Sequence, residues 1–335
     1  MYVHFIGIGG IGVSALARHY LSSDVAVSGS DLASSEITEE LKKLGAKIYI
    51  GKHKAANLAK DAEMVIYTPA VTKNNPELKV ARKRKLKIRS YPEIVGELTK
   101  KYRTITVSGA HGKSTTTALT GLMLEDGYCD PTVIVGAQVK EFGDSNYRRG
   151  GGPYLVLEAD EWDRSFLNYS PQIAVVTNID EEHLDTYKTV AEVEKTFEKF
   201  LTKIPRDGKI IANADDERLK KVAKKFGKKV GWYSLKDPEA PQIRKILRIP
   251  GEHNVSNALA ALSVGRELGI HEAQILKAIS RFSGAGRRFE FKGKIDGASV
   301  FSDYGHHPSE IHATIVATRE RFPFRRVWCV YQPHQ

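Results

Sequence analysis

The segment Val107-Ser108-Gly109-Ala110-His111-Gly112-Lys113-Ser114-Thr115-Thr116-Thr117 constrains this chain more than any other. It follows the β-branched run Thr104-Ile105-Thr106-Val107 and opens a helical stretch at Ala118-Leu119-Thr120. A strand that breaks into a glycine-rich turn and then a helix is a unit of a parallel sheet, and Lys-Ser at the turn makes it a phosphate cradle. The glycines let backbone N–H groups approach phosphate oxygens, and the helix N-terminus adds partial positive charge. Lys113 supplies a mobile full charge for the β- and γ-phosphates, and Ser114 a hydroxyl for Mg²⁺. Val107 stands where the longer Walker pattern has its first glycine, so what remains is Gly-x-x-Gly-Lys-Ser. These residues imply a nucleoside triphosphate and Mg²⁺, with Gly109, His111, Gly112, Lys113, Ser114 and Thr115 as candidate contacts.

The pattern around this loop predicts an α/β protein. Strands at Tyr2 to Ile6, Val25 to Val27, Lys47 to Ile50, Met64 to Tyr67 and Lys87-Ile88 alternate with helical stretches at Val13 to Tyr20, Glu36 to Leu44 and Leu78 to Arg84. That alternation argues for a Rossmann-like, doubly wound parallel sheet over 1–98. A central P-loop-type mononucleotide-binding α/β domain follows over 99–283. Its strands are expected at Thr104, Tyr154 to Leu157, Ile173 to Thr177 and Lys209 to Ala212, with helices at Val190 to Leu201, Asn254 to Leu268 and Glu272 to Ile279. From 284 to 335 the pattern reads as the start of a third α/β domain. It has strands at Arg288 to Lys292, Ala298 to Ser302 and Val327 to Tyr331, and a helix at Glu310 to Arg321.

Gly7-Ile8-Gly9-Gly10-Ile11-Gly12 fits G-x-G-x-x-G between a strand and a helix, and Asp31 follows at the end of a second strand. Such a loop binds the pyrophosphate of a dinucleotide, with the acid on a ribose. A nicotinamide-dependent dehydrogenase is therefore one reading. The same geometry also takes the diphosphate of a UDP-sugar, and the dehydrogenase reading leaves the Lys-Ser loop unexplained.

Carboxylates and imidazoles gather at the other predicted strand ends. Leu155-Val156-Leu157-Glu158-Ala159-Asp160-Glu161 and Val175-Val176-Thr177-Asn178-Ile179-Asp180-Glu181-Glu182-His183-Leu184-Asp185 each run from a buried strand into acidic residues. Ligands of open α/β sheets bind at such ends, so these groups could hold Mg²⁺ against phosphate oxygens. Asn254 and Asn257 lie one helical turn apart and can face one ligand, an adenine edge for example, although helix capping accounts for at least one polar group there. Gly284-Ala285-Gly286-Arg287-Arg288 places arginines, suited to phosphate, in a hinge-like loop. Ser302-Asp303-Tyr304-Gly305-His306-His307-Pro308 offers histidines as metal ligands, acid/base groups or substrate contacts.

Together these segments resemble the Mur ligases. The resemblance rests on the two glycine loops, Glu158-Ala159-Asp160-Glu161, Thr177-Asn178-Ile179 through His183-Leu184-Asp185-Thr186-Tyr187, and Pro250-Gly251 with His253-Asn254 and Asn257-Ala258. It extends to Gly286-Arg287-Arg288-Phe289, Asp303 through Pro308, and Gln332-Pro333-His334, and so covers essentially the whole chain. It implies an ATP-dependent amide-bond ligase that joins L-alanine to the carboxylate of UDP-N-acetylmuramate through an acyl phosphate. A tripeptide-recycling relative with similar motifs is the alternative. Lys113, Glu158, His183 and Arg288 take the catalytic roles, and Ser114, Glu158 and His183 those of magnesium ligands. Asn254, Asn257, Arg288 and Asp303 fall on the nucleotide side. Gly9, Gly10, Ile11 and Gly12, with Asp31, Thr68 and His306, form the substrate-facing set. Ala110 stands where threonine is usual in the family and Trp162 where serine is common. The resemblance also implies that the third domain has only begun at Gln335 and that this stretch alone would not ligate.

Composition fits such an enzyme. Apolar content of 41% and charged content of 27% are those of a globular protein, and no apolar run approaches membrane-spanning length. Met1-Tyr2-Val3-His4-Phe5 enters a strand without a basic leader, which predicts a cytoplasmic location. The net charge of +11 suits anionic small molecules. The basic clusters Arg82-Lys83-Arg84-Lys85 and Lys220 to Lys229 carry no interleaved aromatics, so they read as solvated helix faces and nucleic acid is not expected as a partner. Cys129 and Cys329 have no metal-ligand spacing and are expected as buried free thiols.

Overall fold

The computed structural model describes residues 1–183 and 186–332. Leu184, Asp185, Pro333 and His334, which belong to two of the quoted motifs, lie outside the described residues. The first sheet comprises β1 (Tyr2–Ile6), β2 (Ala26–Asp31), β3 (Lys47–Ile50), β4 (Met64–Tyr67) and β5 (Lys87–Ser90). Their order is β3-β2-β1-β4-β5, and all pairs are parallel. Helices α1 (Ile11–Leu21), α2 (Glu36–Lys43), α3 (Pro76–Lys83) and α4 (Tyr91–Thr99) cover both faces. With helices on both sides, the central strand is near-continuously apolar: Val3, Phe5 and Ile6 are fully buried. The α2 N-terminus is fixed by Ser35, whose hydroxyl accepts from the Thr38 N–H. Asn75 does the same for α3, accepting from the Glu77 and Leu78 N–H groups ahead of Pro76.

The second sheet holds β6 (Arg103–Ser108), β7 (Thr132–Val139), β8 (Ser145–Arg148), β9 (Tyr154–Glu158), β10 (Ile173–Val176), β11 (Lys209–Asn213) and β12 (Val230–Tyr233). The order β12-β11-β10-β6-β9-β7-β8 puts β6 between β9 and β10, so the ends of all three lie side by side. Helix α5 (Lys113–Asp126) starts directly after the loop that follows β6 and shares one face of the sheet with α8 (Ala240–Ile246), α9 (Glu252–Glu267) and α10 (Glu272–Arg281), while α6 (Val190–Leu201) and α7 (Glu217–Ala223) pack on the other. A third unit consists of the antiparallel pair β13 (Glu290–Ile295) and β14 (Ala298–Ser302) and helix α11 (Pro308–Arg321).

The first two sheets are locked together. The Asn146 side-chain amide, buried on β8, donates to the Ile11 carbonyl at 2.5 Å and to Ser14 Oγ at 2.9 Å on α1. The Tyr147 hydroxyl meets His19 and Ser22 at 3.1 Å each. The helix that follows the first glycine loop is thereby held by the edge of the second sheet.

Two expectations need correction. Residues Val327 to Tyr331 form no strand, because among the described residues no neighbouring strand pairs with them; Trp328 and Val330 are 80% and 99% exposed. The cysteines are not both buried: Cys129 is half-buried and Cys329 is exposed on that same extended segment. The basic clusters are mostly exposed, as expected, and several members also pair. Arg84 donates to the carbonyls of Ala59, Lys60 and Ala62, while Lys221 and Lys225 pair with Glu194 and Glu198 of α6. Six elements, α4, β7, β8, α7, β12 and α8, have no counterpart among the expected strands and helices. No helix among the described residues is long and apolar enough to cross a membrane.

Candidate active site

The loop between β6 and α5 sits at the centre of the site. Gly112, immediately before α5, has φ +84°, and a Cβ there would lie 2.3 Å from Asn257 Oδ1. Only glycine allows both that left-handed turn and the approach of α9. Asn254 is taken up locally, its amide donating to the Pro250 carbonyl at 2.6 Å. The α9 N-cap is Gly251, so neither asparagine caps the helix. The His111 N–H donates to Asn178 Oδ1 at 2.8 Å, and Thr177 Oγ1 donates to the His111 carbonyl at 2.6 Å, tying the loop to the end of β10.

Side chains from three strand ends converge here. Ser114 Oγ donates to Glu158 Oε1 at 3.1 Å, and Glu158 also accepts from the Gly136 N–H of β7 at 2.6 Å. Lys113 Nζ lies 3.2 Å from both Glu161 oxygens and donates to the Gly109 and Ala110 carbonyls. His183 Nε2 stands 3.5 Å from Glu161 and 3.8 Å from Asp160. Thr115 is buried in the first turn of α5. Of the expected metal set, Ser114 and Glu158 are in direct contact, whereas His183 reaches the group through Glu161. Asp160, Glu161 and His183 have ligand atoms within 4.8 Å of one another. Glu161, not singled out by the residue pattern, is the carboxylate nearest both Lys113 and His183. Its signal was its place in the run that also holds Glu158.

The electrostatics follow from burial among like charges. Burial pushes the Glu158 carboxyl up, against the Gly136 N–H and Lys113. Burial also pushes Glu161 up, but Lys113 and His183 outweigh it and hold this carboxyl below its usual range. For Lys113, burial disfavours the charge, yet Glu161, Asp160, Glu182 and Glu158 together raise its pKa. His183 is raised likewise, burial being overcome by Glu161 and Asp160. One ammonium therefore faces four carboxylates. Oxygen donors, an imidazole and surplus negative charge fit a divalent cation.

A second cluster closes the loop from the other side. His111 lies 3.2 Å from Asp180, 3.7 Å from Glu182 and 3.3 Å from Glu310 of α11, and its ring centroid is 5.1 Å from that of His307. Arg288 Nη1 donates to Glu310 at 3.2 Å, and Asp303 accepts from the Phe289 N–H at 2.8 Å. The His306 N–H donates to Glu310 at 3.1 Å. Arg288, Asp303 and His306 thus organise the third unit against the phosphate loop. At the first glycine loop, Asp31 Oδ2 accepts from the Gly9 N–H at 2.8 Å, bracing the turn, and the Thr68 methyl packs against Gly7.

Three family models match in chain order: the Mur ligase catalytic domain over residues 2–103, the middle domain over 107–247 and the glutamate ligase domain over 287–335. The chain belongs to the Mur ligase family. Among Mur ligases it is 40% identical to the UDP-N-acetylmuramate–L-alanine ligases of Endomicrobium trichonymphae and Aquifex aeolicus, over 99% of its own length and 78% and 77% of theirs. The crystal structure of UDP-N-acetylmuramate–alanine ligase from Thermotoga maritima superposes with a TM-score of 0.84 at 31% identity, covering 96% of this chain and 78% of that one. Membership of the Mur ligases disfavours the dehydrogenase reading, which accounts for neither the middle nor the third match.

Proposed function

We propose that this Mur ligase joins L-alanine to the carboxylate of UDP-N-acetylmuramate at the expense of ATP, a step in peptidoglycan precursor synthesis in the cytoplasm. The observation that carries the reading is the convergence of Lys113, Ser114, Glu158, Glu161 and His183 on one cleft beside a second glycine loop. The relatives named for that reaction favour alanine over a tripeptide as the acceptor.

In this reading the muramoyl carboxylate attacks the γ-phosphate, giving an acyl phosphate and ADP, and the alanine amine then attacks the carbonyl and expels phosphate. Residues Gly9 to Gly12 hold the diphosphate at the N-terminus of α1. Gly109, His111, Gly112 and Thr115 wrap the triphosphate, and Lys113 offsets charge on the transferring group, so catalysis is mostly positioning and electrostatics. Asn254 and Asn257 lie on the nucleoside side. Ser114, Glu158 and His183 would hold Mg²⁺, which neutralises phosphate charge when bound. Arg288 and Asp303 close the third unit over the cleft, excluding water. Phosphate release that requires both UDP-N-acetylmuramate and L-alanine, measured on a chain that carries a complete third domain, tests the assignment. Equal release with a tripeptide acceptor, or none with any amine donor, would remove it.

A further inference from the structure

Between the two glycine loops stands an aromatic side chain that neither loop explains. Tyr91 opens α4, and its partly buried ring packs against the core beneath the first sheet. A Cβ on Gly12 would lie 2.9 Å from both Cζ and the hydroxyl oxygen of Tyr91, so the phenol tip rests against the first turn of α1. The same hydroxyl feels the carboxylates of Glu158 and Asp160, which places it toward the end of β9. Burial first, and those two carboxylates second, push its pKa up, so the phenol remains a neutral donor. Among the described residues the hydroxyl has no hydrogen-bond partner. The hydroxyl oxygen is not among the buried polar atoms left without a partner, so it is open to the space between the loops, where a phenylalanine of the same shape would offer no donor. The donor is therefore free to meet an acceptor that enters that space. The Cβ-free Gly12 is what lets the phenol reach it.

We propose that Tyr91 contacts the substrate, donating from its hydroxyl to an anionic oxygen of the sugar nucleotide and fixing how far that molecule extends from the first loop toward the phosphate loop. This rests on the sugar-nucleotide reading of the first loop given above. Two oxygens share the required chemistry, those of the diphosphate and that of the muramoyl carboxylate.

Titration calorimetry on the native chain and Tyr91→Phe, with UDP-N-acetylmuramate, UDP and ATP·Mg²⁺ in turn, tests the proposal. Phenylalanine keeps the ring in its seat, so the fold is retained. The expected result is about tenfold weaker binding of UDP-N-acetylmuramate with ATP affinity unchanged. An equal loss with UDP puts the contact on the diphosphate, and a loss confined to UDP-N-acetylmuramate puts it on the carboxylate; both support the proposal. Unchanged sugar-nucleotide affinity in Tyr91→Phe overturns it, as does an equal loss of ATP affinity, which marks a packing defect. A native chain that binds ATP but neither uridine nucleotide brings down the underlying reading, and this proposal with it.

Discussion

Lys113 Nζ sits 3.2 Å from each oxygen of Glu161, a symmetric pairing of the phosphate-loop lysine with a carboxylate 48 residues away. Both groups are nearly inaccessible to water. The pairing keeps the lysine charged and aimed at the end of β9 before any nucleotide arrives. In a chain that carries a complete third domain, Lys113→Ala is expected to lower turnover by at least about 10²–10³. It also takes the nearest cation from the buried Glu161 and leaves only His183 beside it, costing up to roughly 3–5 kcal/mol in stability. Adding Glu161→Gln to Lys113→Ala should recover most of the stability and none of the turnover. Melting temperature and phosphate release, measured on the same samples, separate the two effects.

Gly112→Ala is expected to cripple nucleotide binding. The left-handed φ of +84° alone costs a non-glycine residue about 1–2 kcal/mol. The new Cβ also meets Asn257 Oδ1 at 2.3 Å, which forces α9 and the loop apart. ATP affinity should fall by at least about tenfold, while sugar-nucleotide affinity holds. Calorimetry with each ligand reads the difference; equal affinities for ATP in the two proteins would count against the loop assignment.

Lys113, Ser114 and Glu158 were legible because each sits where a strand ends within one short motif, and a local pattern is enough to place it. Their partners were not. The Lys113–Glu161 pair and the nearness of His183 depend on β9, β6 and β10 being neighbours, and strand order is not written in any one segment. The Arg288–Glu310–His111 chain depends further on how α11 docks. Asp31 illustrates the limit differently: its position matched a ribose-binding acid, yet its carboxylate accepts from the Gly9 N–H. The doubly wound sheet emerged from alternation alone, whereas the edge pair β7–β8, with one parallel and one antiparallel neighbour, left no such periodic trace.

Acid should expose a device in the first sheet. Glu77 is fully buried, accepting from Ser30 Oγ at 2.7 Å and Asn57 Nδ2 at 2.9 Å, with His4 at 2.8 Å and His53 at 3.0 Å. Burial opposes its charge, but His4, Ser30 and Asn57 prevail and bring its pKa down from 4.5 to about 2. A depressed carboxyl pKa gives stability that is present above about 4.5 and is lost as pH falls toward 2. That contribution is worth about 3 kcal/mol at neutral pH. Glu77→Gln should therefore be less stable than the native chain at pH 7 and nearly equal to it at pH 2. Urea unfolding across that range measures the gap; a gap that stays constant with pH would show that Glu77 acts through shape alone.

Glu310 should govern whether the third unit stays against the phosphate loop. Its carboxylate meets Arg288 at 3.2 Å and His111 at 3.3 Å, and it accepts from the His306 and His307 N–H groups at 3.1 and 3.4 Å. Burial pushes its pKa up, but His111 and Arg288 more than reverse this and hold it far below the usual carboxylate range. Glu310→Ala removes every one of these acceptors at once and leaves Arg288 and His111 without this partner. Losing hydrogen bonds to a charged group costs about 1.5–3 kcal/mol, enough to shift the docking equilibrium of α11 roughly ten- to a hundredfold toward the open form. The loop Gly284-Ala285-Gly286-Arg287-Arg288 then becomes more accessible, and trypsin should cut after Arg287 or Arg288 correspondingly faster. ATP should slow that cleavage in the native chain, and less so in the variant, because His111 belongs both to the phosphate loop and to the Glu310 cluster. Mass spectrometry of timed digests reads both rates. Cleavage that is as slow in Glu310→Ala as in the native chain would mean that β13, β14 and α11 dock through their apolar contacts, without help from this carboxylate.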